Sequence, residues 1–156
     1  MTTADLNRRL LAEGANPANY ALNTRSYDGF CLMHNGRGWA VFYSERGKDQ
    51  EPIFISSDED AACRYFFDFV MQMEHSHLVG FLRSEPAARA LQARLAAAGI
   101  TPHPFRVLYA QNDYRHGVSV IGKDIFRAQA LLGPLPVEDA EEARPGLWER
   151  LRHLWA

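Results

Sequence analysis

Two apolar runs, Phe30-Cys-Leu-Met-His34 and Trp39-Ala-Val-Phe-Tyr-Ser44, stand on either side of Asn35-Gly-Arg-Gly38. Asn-Gly between two such runs favours the left-handed backbone of a tight turn, so the runs are expected to pair as antiparallel neighbours. Side chains alternate along a strand, which puts Trp39, Val41 and Tyr43 on one face and Ala40, Phe42 and Ser44 on the other. Both faces are largely apolar, as in a central strand covered on two sides. The run ends in Ser44-Glu-Arg-Gly47, a polar-rimmed turn in which Gly47 takes a positive φ.

The flanking sequence supplies elements to cover that hairpin. Leu6, Leu10 and Leu11 form a narrow stripe on a helix from about Thr3 to Glu13, with Gly14 in the left-handed position after it. Asn16-Pro17 breaks the chain before a brief strand at Tyr20-Ala-Leu22 and a polar turn from Asn23 to Gly29. A second turn, residues 47–51, leads into a strand at Pro52-Ile-Phe-Ile55. Ser57 with Asp60 has the form of a capping box for a helix ending near Met73, whose Ala62, Cys63, Phe66, Phe67, Val70 and Met73 recur at helical spacing.

The pattern then restarts. His77 to Leu82 reads as a strand, and Ser84 with Pro86 opens a helix whose inner stripe is Ala88, Leu91, Leu95 and Ala98. Strands at Phe105 to Tyr109 and Val118 to Ile121 follow, joined by a polar loop from Gln111 to Gly117, and a helix runs from Asp124 to Leu132. The order predicts an α+β fold, an antiparallel or mixed sheet meander flanked by helices. It forms one domain over 1–133, in two similar small halves, 1–75 and 76–133. Residues 134–146 read as an acidic, Pro-containing linker. Residues 147–156 read as an amphipathic C-terminal helix carrying Trp148 and Trp155, which docks on its own domain or mediates self-association.

Charge and cysteine usage restrict the function classes. Seventeen Lys and Arg against 19 Asp and Glu leave no excess of base for a broad nucleic-acid surface. Cys31 and Cys63 sit in apolar patterns and read as reduced core residues. No apolar run approaches the length of a membrane span, and the first residues lack the pattern of a signal peptide, so the cytoplasm is the expected address.

The residue types that carry chemistry are present without the spacing that makes a site. His75 and His77 alternate at a strand entrance, but a metal needs a third and usually a fourth ligand with support behind it, and His103 and His116 have no fixed relation to them. They read as exposed or capping residues. Cys63 falls on an inward helix stripe, away from the electropositive setting a thiol nucleophile needs. Glu45 and Arg46 form an acid–base pair at a strand end, for which turn bonding with Arg46 paired to an acid is the simpler reading. Gly36-Arg-Gly38 joins two strands and so fails as a dinucleotide loop. Gly122-Lys-Asp124 reads as a plain strand-to-helix connection.

The ordered set Leu10-Leu-Ala-Glu-Gly14, Tyr20-Ala-Leu22, Trp39 to Gly47, and Phe54 followed by Ser57-Asp-Glu-Asp-Ala-Ala-Cys-Arg-Tyr-Phe66 resembles the small immunity proteins encoded beside bacterial polymorphic toxins of the type VI, Rhs and contact-dependent systems. The resemblance is clearest over residues 6 to 73. The second half, with Gly80-Phe81, Ala98-Gly-Ile100 and Gly122-Lys-Asp-Ile125, is similar in type. The resemblance implies a cytoplasmic protein with no catalytic, cofactor-binding or metal residues. Its partner would be a cognate toxin effector, such as an NAD glycohydrolase or a nuclease, whose active site it plugs.

Such a plug needs roughly 800 Å² or more per partner with aromatic and Arg anchors. Tyr27, Asp28, Arg46, Lys48, Asp49, Asp113, Tyr114 and Arg115 have that chemistry on predicted loops and turns, chiefly 23–29 and 111–116. Two alternatives stand beside this: a small enzyme with a cleft around Glu45 and Arg46, and an adaptor assembling through Trp148 and Trp155.

Overall fold

The computed structural model describes residues 1–139, and over them the chain folds as an α+β protein with two mixed sheets flanked by helices. In chain order the elements are α1 (Thr3–Ala12), a 3₁₀ turn (Pro17–Asn19), β1 (Tyr20–Leu22), β2 (Asp28–His34), β3 (Trp39–Glu45), β4 (Lys48–Asp49), β5 (Phe54–Ser56) and α2 (Glu59–Met71). They continue with β6 (Ser76–Leu82), α3 (Glu85–Ala97), β7 (His103–Ala110), β8 (Asp113–Ile121), α4 (Asp124–Leu132) and β9 (Val137–Glu138). They fall into two compact units. The first is Met1–His77 with Ile121–Arg127, and the second is Leu78–Val120 with, among the described residues, 128–139.

The Asn35-Gly hairpin is the spine of the first unit. β2 and β3 pair antiparallel over their whole length, from Asp28 opposite Glu45 to His34 opposite Trp39. Asn35 secures the turn by accepting the Arg37 and Gly38 N–H groups on its side-chain oxygen. β3 is central as expected, bordered by β2 on one side and by β4 and β5 on the other, while β1 adds in parallel to β2. Leu32 and Val41 face α1 and α2 in a core with Leu6, Leu10, Phe66 and Val70. Cys31, Ala40 and Phe42 form a smaller cluster on the opposite face.

Rings bind α2 to the sheet. Phe54 stacks on Tyr65 at 4.1 Å, Phe69 meets Phe30 edge-on at 4.6 Å, and Phe30 meets Tyr43 at 5.0 Å. Each aromatic pair is worth about 0.5–1.5 kcal/mol beyond its buried area. His75 is buried at the end of this core. Its Nδ1 accepts the Asn16 N–H at 3.0 Å, its Nε2 meets the Val70 carbonyl at 2.9 Å, and its own carbonyl accepts the Gly122 N–H at 2.8 Å.

In the second unit the sheet order is β7-β8-β6-β9, with β7 antiparallel to β8 and β9 parallel to β6. α3 covers one face, and its Leu91 packs so close to Gly80 that a Cβ there would lie 2.3 Å from the leucine methyl. Ser84 caps α3 through the Ala87 N–H, and Pro86 lies in its first turn, as the sequence predicts.

Four boundaries differ from the sequence reading. Asp58, not Ser57, caps α2, because its carboxylate offers an oxygen to each of the Asp60 and Ala61 N–H groups, and the helix stops at Met71. The turn at Ser44 to Gly47 forms as expected, with Arg46 joining Gly47 at positive φ, but within the expected second turn at 47–51 Lys48 and Asp49 return as a strand. Residues 111–117 are not a loop. Asn112 at φ 57 turns the chain within two residues, and β8 starts at Asp113, its polar residues paired through the backbone with β7. Within the expected linker, Val137 and Glu138 join the sheet edge opposite Gly80 and Phe81. The C-terminal helix with Trp148 and Trp155 lies outside the described residues.

Gly14 shows where the first unit tolerates least change. Its φ is +78°, and an added Cβ would sit 2.6 Å from the Gly122 carbonyl carbon and the Lys123 nitrogen. Gly47 has nearly the same φ and open space. Gly14→Ala is therefore expected to lose more than about 3 kcal/mol in urea denaturation, against about 1 kcal/mol for Gly47→Ala from backbone strain alone. Equal losses would mean that the close approach at Gly14 carries no stability.

Candidate binding surface

The second unit carries a strand that every expectation of burial would place inside. All eight residues of β7, His103-Pro-Phe-Arg-Val-Leu-Tyr-Ala110, are exposed, and β7 ends the sheet, with β8 its one neighbour among the described residues. Leu108 is 61% exposed and Tyr109 63%, with Phe105, Val107 and Tyr114 of β8 also among the exposed large apolar side chains. They are divided between the faces of the ribbon, Phe105, Val107 and Tyr109 on one and Leu108 and Tyr114 on the other.

Packing beneath the strand orients it. Phe105 lies across Gly117, where a Cβ would come within 2.1 Å of its ring. Tyr109 meets Phe81 edge-on at 5.7 Å, and the Arg115 guanidinium sits 4.6 Å from the Tyr109 ring. On the other face Arg106 lies 4.6 Å over Tyr114. A groove of about 400 Å³ runs there between β7–β8 and α3, lined by Pro104, Arg106, His116, Glu85 and Arg89, with Glu85 and Arg89 paired at 2.7 Å.

The sequence-predicted residues divide between the two units. In the first, Tyr27, Asp28, Arg46, Lys48 and Asp49 gather at one end of the sheet: the Tyr27 carbonyl accepts the Arg46 N–H at 2.7 Å, Asp28 faces Glu45, and Glu45 faces Lys48. Tyr27 is 76% exposed. Two acids of this group are already engaged. Asp28 accepts the Tyr43 hydroxyl, a bond that pushes the Tyr43 phenol above its usual range. Asp49 accepts Arg25 Nε at 2.9 Å and the Ser44 hydroxyl at 2.9 Å. Glu45 and Arg46 belong to an exposed turn, and Arg46 forms no ion pair among the described residues, unlike the expected pairing with an acid.

Arg25, missed in the sequence, is the cation of this region. It edges a groove of about 590 Å³ with Phe42, Ala40 and Met33 on its floor and His34 and Gln50 on its rim.

In the second unit, Asp113, Tyr114 and Arg115 lie on β8, not on a loop. Arg115 is 2% exposed and bonded to Asp113, so it acts from within the fold and is not a surface anchor. Tyr114 remains exposed beside β7.

The other candidates resolve as structure. Both ring nitrogens of His75 are held by backbone groups, and His77 Nε2 lies 2.8 Å from the Gly14 carbonyl, so of the two expectations, exposed or capping, both act as caps, and His75 does so from a buried position. Among the described residues no His, Cys, Asp and Glu cluster is arranged to hold a metal. Cys63 is fully buried, and desolvation pushes its thiol up to about 11, far from the range of a reactive thiolate. Cys31 is buried too, and desolvation raises it. Among the described residues no helix is long and apolar enough to cross a membrane. Compared with protein-family models, curated proteins and solved structures, the chain matches none.

Arg25 first, and Ser44 with it, hold the Asp49 carboxyl below the usual range against desolvation. A depressed folded-state pKa stabilises above the unfolded value of about 3.9 and loses that contribution as pH falls through it. Wild type should therefore exceed Asp49→Asn in urea midpoint at pH 7, with the gap closing toward pH 3. A gap that stays constant with pH would show that the carboxylate charge is not its source.

Proposed function

We propose that this chain is an immunity protein, which binds a cognate antibacterial toxin and neutralises it by covering its active site. The observation that supports this most is the β7–β8 ribbon. An exposed edge strand with Tyr, Phe, Leu and an aromatic-stacked Arg has the composition of interface anchors, in which a few Tyr, Trp and Arg side chains carry most of the binding energy. The resemblance of residues 6 to 73 to toxin-linked immunity proteins gives the partner its class, with an NAD glycohydrolase or a nuclease as the activity to be blocked. The reading assigns the chain no catalytic residue and no cofactor. The working surface moves from the loops suggested by sequence to a strand.

The test is co-expression with the toxin-domain protein encoded beside this gene. The neighbour alone should arrest growth, the pair should grow and co-purify, and Leu108→Asp on the exposed ribbon should weaken the complex at least about tenfold without unfolding the chain. A neighbour that is harmless alone, or a pair that neither co-purifies nor restores growth, would overturn the proposal.

A further inference from the structure

We infer that β7 receives an extended segment of the partner as an added strand, and that this segment sets a carboxylate opposite Arg106 among otherwise apolar side chains. The inference deepens the immunity reading and rests on it only for who the partner is. An edge strand presents backbone N–H and C=O groups that an incoming strand can pair, and eight residues provide a ladder about 27 Å long. Natural proteins blunt such edges with charge, bulges or covering elements. Here the strand carries one Arg and, near its start, Pro104, which offers no N–H; the register shift falls only between Leu108 and Ala110, and apolar side chains stand on both faces.

The side chains around β7 specify the guest. An added strand places alternate residues on opposite faces, about 4.5–5.5 Å from their cross-strand neighbours. On one face they would meet Phe105, Val107 and Tyr109, a row that takes apolar groups. On the other they would meet Arg106, held over Tyr114 and without an acid partner among the described residues, with His116 behind it in the α3 groove, and beside it the exposed apolar side chain of Leu108. Glu85 in that groove is already paired with Arg89, which leaves the Arg106 charge for a carboxylate from outside.

A second copy of the chain fits this edge poorly, because β7 contains no Asp or Glu and would bring no carboxylate to Arg106. A toxin segment of Val, Ile or Leu with one Glu or Asp opposite Arg106 supplies both faces.

The probe is a peptide carrying fluorescein on its N-terminal amine, fluorescein-Thr-Val-Glu-Val-Leu-Val-Thr-amide, titrated against the full chain by anisotropy. Two analogues are N-methylated at alternate residues, one on each parity, and a third carries Lys in place of Glu. Strand addition predicts saturable binding in which one methylation parity, the one facing β7, weakens binding at least about tenfold while the other has little effect. The Lys analogue should lose a similar factor, and Arg106→Glu, at an exposed position, should reverse the preference between the two peptides. No binding up to about 1 mM, equal effects of both parities, or a β7-dependent dimer of the chain in sedimentation would overturn the inference. Parity-dependent binding with a failed toxin test would leave the strand mode standing with a different partner. Growth rescue without parity dependence would leave immunity standing and remove the strand mode.

Discussion

His75 holds three separate stretches of chain in one buried place. Asn16 reaches it from the segment that opens the 3₁₀ turn and β1, Val70 from the end of α2, and Gly122 from the turn after β8. Because the Asn16 N–H donates to Nδ1, the ring must carry its proton on Nε2, which then donates to Val70. Losing the ring would leave the part-buried Asn16 N–H without this partner, at about 1–3 kcal/mol, while the Val70 carbonyl keeps the Met73 N–H at 3.0 Å. Around this point the other close contacts fall into line. Gly14 lets α1 end directly against Gly122 and Lys123, Glu13 and Lys123 pair at 2.7 Å, and His77 Nε2 takes up the Gly14 carbonyl.

With that corner fixed, the β2–β3 hairpin can serve as a scaffold covered differently on its two faces. α1 and α2 cover the face of Leu32 and Val41, while the face of Phe42 is left to short loops and the Arg25–Asp49 pair. The second unit repeats the asymmetry in another form. α3 takes one face of its sheet, but β7 is left with an open edge and exposed aromatic side chains. Exposed apolar area of this extent is unfavourable for a protein that acts alone, and its retention is understandable when a partner covers it.

Local signals in the sequence were legible where one residue decides the backbone. Asn35-Gly36 set the hairpin and, through the period-two alternation, the faces of Trp39 to Ser44. Ser84 with Pro86 set the start of α3. Signals failed where two residues compete or where the decisive contact is distant. Asp58 displaced Ser57 as the cap because a carboxylate can serve two N–H groups at once. Residues 113–117 look like a loop because Asp113, Arg115 and His116 are polar. Their strand exists because β7 pairs with them and because Arg115 is buried beside Asp113 and Tyr109, contacts that no local pattern announces. The candidate surface was harder still. Phe105 to Tyr109 has the apolar pattern of an interior strand, and only sheet order reveals that it lies at an edge, so the local pattern points to polar Asp113 and Arg115 and not to Leu108 and Tyr109.

The two units thus differ in what they contribute. The first is pinned at His75, and the second presents the exposed edge strand β7, the proposed binding edge. Hydrogen exchange of this chain, free and saturated with the proposed toxin partner, tests that division most directly. Strong new protection is expected at the β7 amides and around Tyr114, with the Arg46–Asp49 turn unchanged. Protection confined to Tyr27 and the Arg46–Asp49 turn, with β7 exchanging as fast as in the free protein, would contradict it.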